Sequence, residues 1–304
     1  MARRRNRGRD VHGVLLLDKP IGITSNTALQ RVKRLFDARK AGHTGSLDPL
    51  ASGMLPICLG EATKISGYLL SADKHYRAVC KLGIKTDSGD ADGEIIERRD
   101  VGLLEREGVV EVLEGFIGRI TQIPPMHSAI KRNGTPLYKL AHQGIEVERE
   151  AREVVIHQLQ LIRLDGDELE FDVHCSKGTY VRTLAEDIGE KLGCGAHIIA
   201  LRRTGVGVMA GSEMVSAETL DSLAQQGFEA LDELLTPMEE ALADWPEVRL
   251  SEDASFYLRQ GQAVFVPRVQ ERGLVRLFSG EADFLGLGTV LDDGRVAPKR
   301  LLKT

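Results

Sequence analysis

The chain has 304 residues and a mass of 33.4 kDa, which suggests two domains at roughly 150 residues per domain. Its composition is 42% hydrophobic and 28% charged with a formal net charge of −5, which supports a sizeable core and excludes collagen-like and low-complexity classes. The longest apolar runs, such as residues 14–17, are far shorter than the roughly 20 residues of a membrane helix, and Asp18 and Lys19 end that run, so we expect neither a membrane span nor a secretory signal.

The first half of the chain predicts alternating strands and helices. Residues 12–17 form an apolar run typical of a buried strand, and Thr24 or Ser25 can cap a helix after the turn at 19–22. The next predicted elements are a loop over 42–53, a helix over 61–70, a strand over 75–85 and a helix over 103–116.

The second half continues this alternation and ends in a small β-rich module. The predicted elements are strands over 154–163 and 168–176, a helix after the turn at 177–179, helices near 216–226 and 228–242, and a short helix over 251–260. Trp245-Pro246 is a plausible linker before the module. Strands interleaved with helices indicate an α/β or α+β class.

The four cysteines show neither a disulfide framework nor metal-ligand spacing. No CxxC pair occurs, and no histidine pair at ligand spacing accompanies the cysteines. We therefore expect buried thiols in a reducing compartment, a cytoplasmic protein, and no metal. The residues are Cys58, Cys80, Cys175 and Cys194.

Charge is distributed unevenly along the chain. Residues 1–85 contain 16 Lys or Arg and 6 Asp or Glu, whereas residues 213–253 contain 12 acids and one arginine. Such a basic segment favours contact with a polyanion, and the acidic block is read as solubilising surface. Five arginines predict a flexible basic tail over residues 1–10: Arg3, Arg4, Arg5, Arg7 and Arg9.

The loop over 42–53 is the most unusual segment. It lacks the Gly-Lys-Ser/Thr ending of a phosphate-binding loop and presents one carboxylate, Asp48, whose backbone is restricted by Pro49. A carboxylate of ordinary pKa is ionised at neutral pH and can act as a nucleophile without a separate base. An Asp-Pro turn without catalytic function fits the same pattern.

A second acidic loop, over residues 86–93, carries Asp87, Asp90 and Asp92. Its spacing does not match a calcium-binding loop. Three acids on one flexible loop are also poorly placed to flank a glycosidic bond. We therefore expect a solvated turn.

Three blocks of the sequence resemble the TruB family of tRNA pseudouridine-55 synthases. The blocks run from Gly13 to Ser25, from Gly42 to Gly53 and from Ser176 to Ala185, and their order and spacing match the family. The resemblance spans nearly the whole chain. It implies a pseudouridine-synthase fold, which is an α/β (α+β) architecture with a mixed, largely antiparallel central sheet flanked by helices. It also implies a flexible tail over 1–10, a catalytic domain over 11–245 and a small β-rich PUA-like RNA-binding domain over 246–304.

The resemblance implies a function as well. Family members isomerise one uridine in the T loop of tRNA to pseudouridine without a cofactor or a metal. We accordingly expect the T arm of tRNA as the partner, no obligate protein partner, and a monomer. Two alternatives stay open: a non-catalytic tRNA-binding or tRNA-folding protein, and an RNA-guided relative that works within a ribonucleoprotein.

The same resemblance assigns expected roles to single residues. Asp48 would be the catalytic carboxylate, and whether it attacks the base, attacks the sugar or removes a sugar proton stays open. Arg182 would orient Asp48. The other expected substrate contacts are His43, Tyr76, Tyr180 and Leu201, with Lys19 and Lys64 as candidate phosphate or scaffold contacts. On spacing alone Tyr76 could be a core residue, since it shares an apolar strand face.

Overall fold

The computed structural model describes residues 8–128, 130–132, 134–141, 143–280 and 283–303. The strands are β1 (Gly13–Lys19), β2 (Ala41–His43), β3 (Ala51–Leu59), β4 (Lys74–Leu82), β5 (Ile84–Thr86), β6 (Ile95–Arg98), β7 (Gly118–Gln122), β8 (Lys131–Arg132), β9 (Thr135–Pro136), β10 (Arg152–Asp165), β11 (Glu168–Cys175), β12 (Ala196–Val206), β13 (Glu247–Leu250), β14 (Val264–Phe265), β15 (Gly273–Ser279), β16 (Asp283–Val290) and β17 (Arg295–Leu301). The helices are α1 (Ser25–Leu35), α2 (Ser66–Ser71), α3 (Arg106–Glu114), α4 (Leu137–Ala141), α5 (Val181–Lys191), α6 (Ala217–Ala224), α7 (Phe228–Asp232) and α8 (Glu252–Arg259), with short 3₁₀ helices at Gly60–Lys64, Gly207–Met209 and Glu240–Leu242.

A central sheet has the strand order β1-β3-β12-β4-β11-β10-β7, and β2 pairs with β3 at its edge. Among the described strands of this sheet, only β3 and β12 pair in parallel. The predicted mixed, largely antiparallel sheet is therefore confirmed. Helices α1, α3 and α5 pack on one face, which we call the front face. The opposite face is the back face. There a second core covers β1 and β3, whereas β4, β10 and β11 carry exposed ion pairs.

Burial on both faces explains the sequence of β1. Leu15 and Leu17 point to the core beneath α1, whereas Val14 and Leu16 point to a second core on the back face. A strand covered on both sides reads as a continuous apolar run. Helix α1 starts where predicted, because the Thr24 side chain accepts a hydrogen bond from the Thr27 amide at 3.1 Å.

The C-terminal segment forms a second sheet of order β13-β15-β16-β17-β14, which α8 covers. The predicted boundary at 245–246 lies immediately before β13. The two sheets share a core, since Leu287 of β16 is fully buried among Val14, Met54 and Val206 of the first sheet. Arg276 adds polar links by donating hydrogen bonds to the carbonyls of Trp245 at 2.9 Å and Glu239 at 3.2 Å.

Several predicted boundaries were wrong. The helix over 61–70 is a 3₁₀ turn followed by the short α2, and the helix over 228–242 ends at Asp232. The chain instead returns to β1, where Thr236 bonds Val14, and Pro237 cannot donate a helical hydrogen bond. Two central strands, β3 and β12, were missed.

The basic tail and the acidic block also differ from expectation. Residues 1–7, with four of the five tail arginines, lie outside the described residues. Arg9, however, is packed on the body: its guanidinium pairs with Asp232 and lies 4.1 Å from the Phe228 ring centroid. Arg31 pairs with Asp221 in the same way. The acidic block therefore contacts the basic N-terminal segment rather than serving only as solvated surface.

The four cysteines are free and buried, as predicted. None of the described helices combines the length and apolarity that a membrane span requires.

Candidate active site

A cleft of about 480 Å³ opens on the front face between the loop that joins β2 to β3 and the start of α5. Six of the eight predicted site residues line it: His43, Asp48, Tyr76, Tyr180, Arg182 and Leu201. Its size lies within the range of small-molecule sites, roughly 300–1,000 Å³. The two remaining residues, Lys19 and Lys64, lie elsewhere.

The loop that carries Asp48 is held by the turn before α1. Buried Ser25 accepts a hydrogen bond from the Leu47 amide at 2.7 Å and donates one to the Leu47 carbonyl at 3.0 Å. The Gly22 amide donates to the Pro49 carbonyl at 2.8 Å. The first and second sequence blocks therefore form one rigid unit around the carboxylate.

Asp48 is bound on one side and open on the other. Its Oδ2 lies 3.0 Å from the Arg182 guanidinium, so the expected ion pair is present. The Asp48 side chain nevertheless remains 46% exposed, whereas that of Arg182 is 7% exposed. One face of the carboxylate is therefore free to meet a ligand in the cleft.

Arg182 is itself fixed by groups on the opposite side. Its guanidinium lies 3.3 Å from the buried Asp90 carboxylate and donates to the carbonyls of Ser88 at 2.9 Å and His127 at 2.6 Å. Asp90 also accepts hydrogen bonds from the Ser88 hydroxyl at 2.6 Å and the Asp92 amide at 3.2 Å. The expectation of a solvated turn was wrong for Asp90, since the loop folds back over α5. Nothing in its spacing indicated this partner.

The pKa of Asp48 is shifted by competing influences. Burial against the cleft wall is the largest, and it raises the pKa above its ordinary value. Arg182 opposes this rise, Asp90 adds to it, and Lys19 opposes it again. The net direction is upward, so the guanidinium offsets only part of the cost of burying the charge.

Two tyrosines and a leucine form the apolar walls. Tyr76 of β4 contacts both cores of the front face, and so does Leu201 of β12. The Tyr180 backbone is clamped by Gln122, which donates to its carbonyl at 3.2 Å and accepts from its amide at 3.0 Å. Tyr76 thus packs on the core and also lines the cleft, so its core position leaves the ring accessible to the site.

Arg203, which the sequence reasoning missed, lies at the floor of the cleft and is 1% exposed. It donates to the carbonyls of Met54 at 2.7 Å and Gly45 at 3.2 Å, and it lies opposite Tyr76 in the β12–β4 pair. Burial of the His43 ring lowers the pKa of His43, and the charge of Arg203 lowers it further. The pair of adjacent arginines at 202–203 was the only sequence signal for this residue. Because successive side chains of a strand point to opposite faces, Arg202 lies on the back face, where it pairs with Asp18.

Lys19 is fully buried below the loop that carries Asp48 rather than in the cleft. Its ammonium donates to the carbonyls of Pro20 and Ile23, each at 2.8 Å. Burial lowers the pKa of Lys19 to about 8, against the opposing attraction of Asp48. The sequence left two roles open for Lys19, a phosphate contact or a scaffold contact, and these hydrogen bonds favour the scaffold role.

Lys64 links the two sheets. Its ammonium pairs with Glu61 and donates to the Leu301 carbonyl at 2.7 Å, while Glu61 also accepts from the Lys303 amide at 2.8 Å. These contacts favour a scaffold role for Lys64 as well.

Comparison with known proteins identifies the family. Sequence models described as the TruB family pseudouridylate synthase N-terminal domain, the tRNA pseudouridylate synthase B C-terminal domain and the pseudouridine synthase II TruB C-terminal region match residues 33–181, 182–243 and 246–302. The tRNA pseudouridine synthase B of Nitrosococcus oceani is 59% identical over 98% of this chain and 97% of its own length. This chain belongs to the TruB family of pseudouridylate synthases. The protein of the same name from Pectobacterium atrosepticum is 53% identical over 99% of this chain and 98% of its own.

Solved structures support the TruB fold. A chain of a Cbf5-Nop10-Gar1 complex superposes with a TM-score of 0.75 and 27% identity, covering 96% of this chain and 84% of that one. A chain of an H/ACA RNP bound to a substrate RNA containing 2′-deoxyuridine superposes with a TM-score of 0.74 at 24% identity, covering 100% and 92%. The central sheet and the C-terminal sheet are therefore the architecture of known pseudouridine synthases.

Proposed function

We propose that this TruB-family protein isomerises uridine-55 in the T loop of tRNA to pseudouridine, with Asp48 as the catalytic carboxylate. One observation carries the proposal: an ion-paired carboxylate with 46% of its side chain exposed lies in a cleft whose walls are two tyrosines and a leucine. A base needs apolar surfaces to stack on, and the proposed reaction needs the carboxylate. The cleft offers both.

The substrate nucleotide must leave the stacked loop before it can enter the cleft. Such extrusion costs a few kcal/mol, and stacking on an aromatic ring returns roughly 1–3 kcal/mol per base. Tyr76 is our candidate for the stacking surface, with Tyr180 and Leu201 beside the base and His43 at the rim. Arg203 lies opposite Tyr76 in the β12–β4 pair.

The reaction breaks the bond between the base and the ribose, rotates the base and rejoins it through C5. Asp48 can serve by attacking the base, by attacking the sugar or by removing a sugar proton, and each of these needs the ionised carboxylate. Arg182 holds Asp48 in orientation and favours its charge, and Asp90 holds Arg182. These residues need neither a metal nor a cofactor for the proposed chemistry, and we propose that the protein acts as a monomer.

The non-catalytic alternative, a tRNA-binding or tRNA-folding protein, explains the site less well. A carboxylate facing a polyanion weakens binding by like-charge repulsion. Burial that raises its pKa adds a further cost. A site that served only for binding would have no use for Asp48.

The test is an assay of uridine conversion in an unmodified T-arm stem-loop by the purified protein alone. Conversion does not change the mass, so carbodiimide labelling detects it. We expect conversion at position 55 only, without added cofactor, guide RNA or protein, and none when cytidine replaces that uridine. Binding without conversion would favour the non-catalytic alternative, and conversion only with a guide RNA would favour the RNA-guided one.

A further inference from the structure

Three histidines and an aspartate meet on the back face of the central sheet, away from the cleft. His75, His174 and His157 lie on the adjacent strands β4, β11 and β10, and Asp73 immediately precedes β4. The His157 Nε2 is 3.1 Å from the Asp73 Oδ2, and the His174 Nε2 is 3.9 Å from the same oxygen. One potential ligand atom from each of Asp73, His157 and His174 lies within 4.8 Å of the others.

A β-bulge lies within this arrangement. Ile156 is paired with Cys175 and Gln158 with His174, so His157 is an extra residue in β10. Ile156 points to the core, and strand alternation therefore turns His157 to the open face beside His174. The bulge returns Leu159 to the core, and bulges are common next to functional sites.

We propose that Asp73, His157 and His174 form a binding site for a Zn²⁺-class divalent transition metal ion. Two imidazoles and a carboxylate are the protein ligands of many zinc sites that keep an open coordination position. Adjacent ligand atoms in a tetrahedral zinc site are about 3.3 Å apart, which follows from metal–ligand bonds of about 2.0–2.1 Å. The 3.1 Å separation already fits, and the 3.9 Å separation needs a closure of about 0.6 Å, which a small movement of the exposed Asp73 carboxylate supplies.

The surroundings of the three ligands suit a metal ion. His75 stacks on His174 with ring centroids 4.0 Å apart and an interplanar angle of 9°, which restricts rotation of the His174 ring. The side chains of Asp73, His157 and His174 are 42%, 37% and 30% exposed, so an ion and its water can reach them. Imidazole ligands favour zinc, copper and nickel over magnesium or calcium. The bound ion would tie β4 to β10 and β11 directly behind Tyr76.

The test is Zn²⁺ binding by the full-length protein after chelator treatment, measured by competition with a chromophoric chelator. Wild type should bind one Zn²⁺ per chain at this site, and Co²⁺ should give the intense visible absorption of a four-coordinate ion. The double variant His157→Asn/His174→Asn should lose at least about tenfold in affinity, since even changes beside metal ligands cost 10–100-fold. The control Gln158→Ala, on the same strand and equally exposed, should bind as wild type does.

Asp73→Asn supplies a second variant that keeps the side-chain size, should the double variant fail to fold. It should also lose the Co²⁺ absorption and the rise in thermal midpoint that Zn²⁺ gives the wild type. Equal Zn²⁺ affinity of wild type and both variants would overturn the proposal. The proposal does not rest on the enzymatic function, because every readout is metal binding rather than turnover.

Discussion

Asp48 shares one guanidinium with a second carboxylate, and the two acids have opposite surroundings. Asp90 is buried and fully hydrogen-bonded, whereas almost half of Asp48 faces the cleft. Arg182 lies between them, so we expect a change at Asp90 to reach Asp48 through the shared guanidinium. We infer that Asp90 is a positioning residue, and its influence on Asp48 can be measured through pH.

The acid limb of the pH–rate profile should report this network. The proposed mechanism requires ionised Asp48, so we expect activity to fall as pH drops through the pKa of Asp48. Asp90→Asn removes a charge that raises this pKa, and Arg182→Met removes the strongest charge that lowers it. In single-turnover kinetics the limb should therefore move to lower pH in Asp90→Asn and to higher pH in Arg182→Met. Asp92 is an exposed neighbour of Asp90, so Asp92→Asn is the control and should leave the acid limb unchanged. Identical limbs in all variants would show that Asp48 is not the group that titrates in this limb.

Tyr76 provides a test of stacking with a matched control. Tyr76→Leu removes the ring and should cost roughly 1–3 kcal/mol of transition-state stabilisation, about 5- to 150-fold in single-turnover rate. Tyr76→Phe keeps the ring and removes only the hydroxyl, which should cost no more than the roughly 0.5–1.5 kcal/mol of a typical hydrogen bond. Equal rates for Tyr76→Leu and wild type would show that the base does not stack there.

At the scale of elements, the parallel contact between β3 and β12 lies next to the loop that carries Asp48. Gly53 lies opposite Arg203 in this pair, with φ at +97°, and a Cβ at Gly53 would approach the Arg203 carbonyl oxygen to 2.2 Å. Only glycine tolerates both the backbone angle and the close approach. The strand that carries Arg203 and Leu201 can therefore reach the cleft floor.

Gly53→Ala should lower the free energy of unfolding by more than the roughly 1–2 kcal/mol expected for a left-handed alanine alone. Gly22→Ala is the matched control, because Gly22 has φ at +87° with no atom within 4 Å of the added Cβ. Urea unfolding of the two variants measures the difference. If the two losses were equal, the close β3–β12 approach would not constrain the site.

The same elements show what the sequence could predict. Strands with clean alternation, such as β4 and β11, and the capped helix α1 were predicted because their signals are local. Strand β3 was missed because Gly53 and Pro56 interrupt it, and its apolar character comes from burial on both faces. The role of Asp90 and the histidine cluster depended on pairing between distant segments, for which one sequence carries no signal.

At the scale of the whole molecule, the two sheets are joined by a shared core. Leu287→Ala should lower the free energy of unfolding by about 2–5 kcal/mol, because it empties a fully buried site between the sheets. Phe265→Ala, in the same segment but 71% exposed, should change it by less than about 0.5 kcal/mol. Calorimetry measures both, and a Leu287→Ala loss as small as that of Phe265→Ala would mean that the sheets unfold independently.

The substitution Asp48→Asn separates the contribution of Asp48 to the reaction from its contribution to the stability of the fold. Burial raises its pKa in the folded protein, so the folded state holds this proton more tightly than the unfolded chain does. Above that pKa the charged carboxylate therefore lowers stability. Asp48→Asn should not reduce the free energy of unfolding at neutral pH, and the variant remains a folded reference.

Single-turnover conversion of unmodified tRNA by Asp48→Asn, measured beside its tRNA affinity, is the most direct test of the account. We predict a loss in rate of at least about a hundredfold, the size of effect that a positioned catalytic group supplies, with affinity close to wild type. Pseudouridine formation by Asp48→Asn at the wild-type rate would contradict the assignment of Asp48 and with it the proposed mechanism.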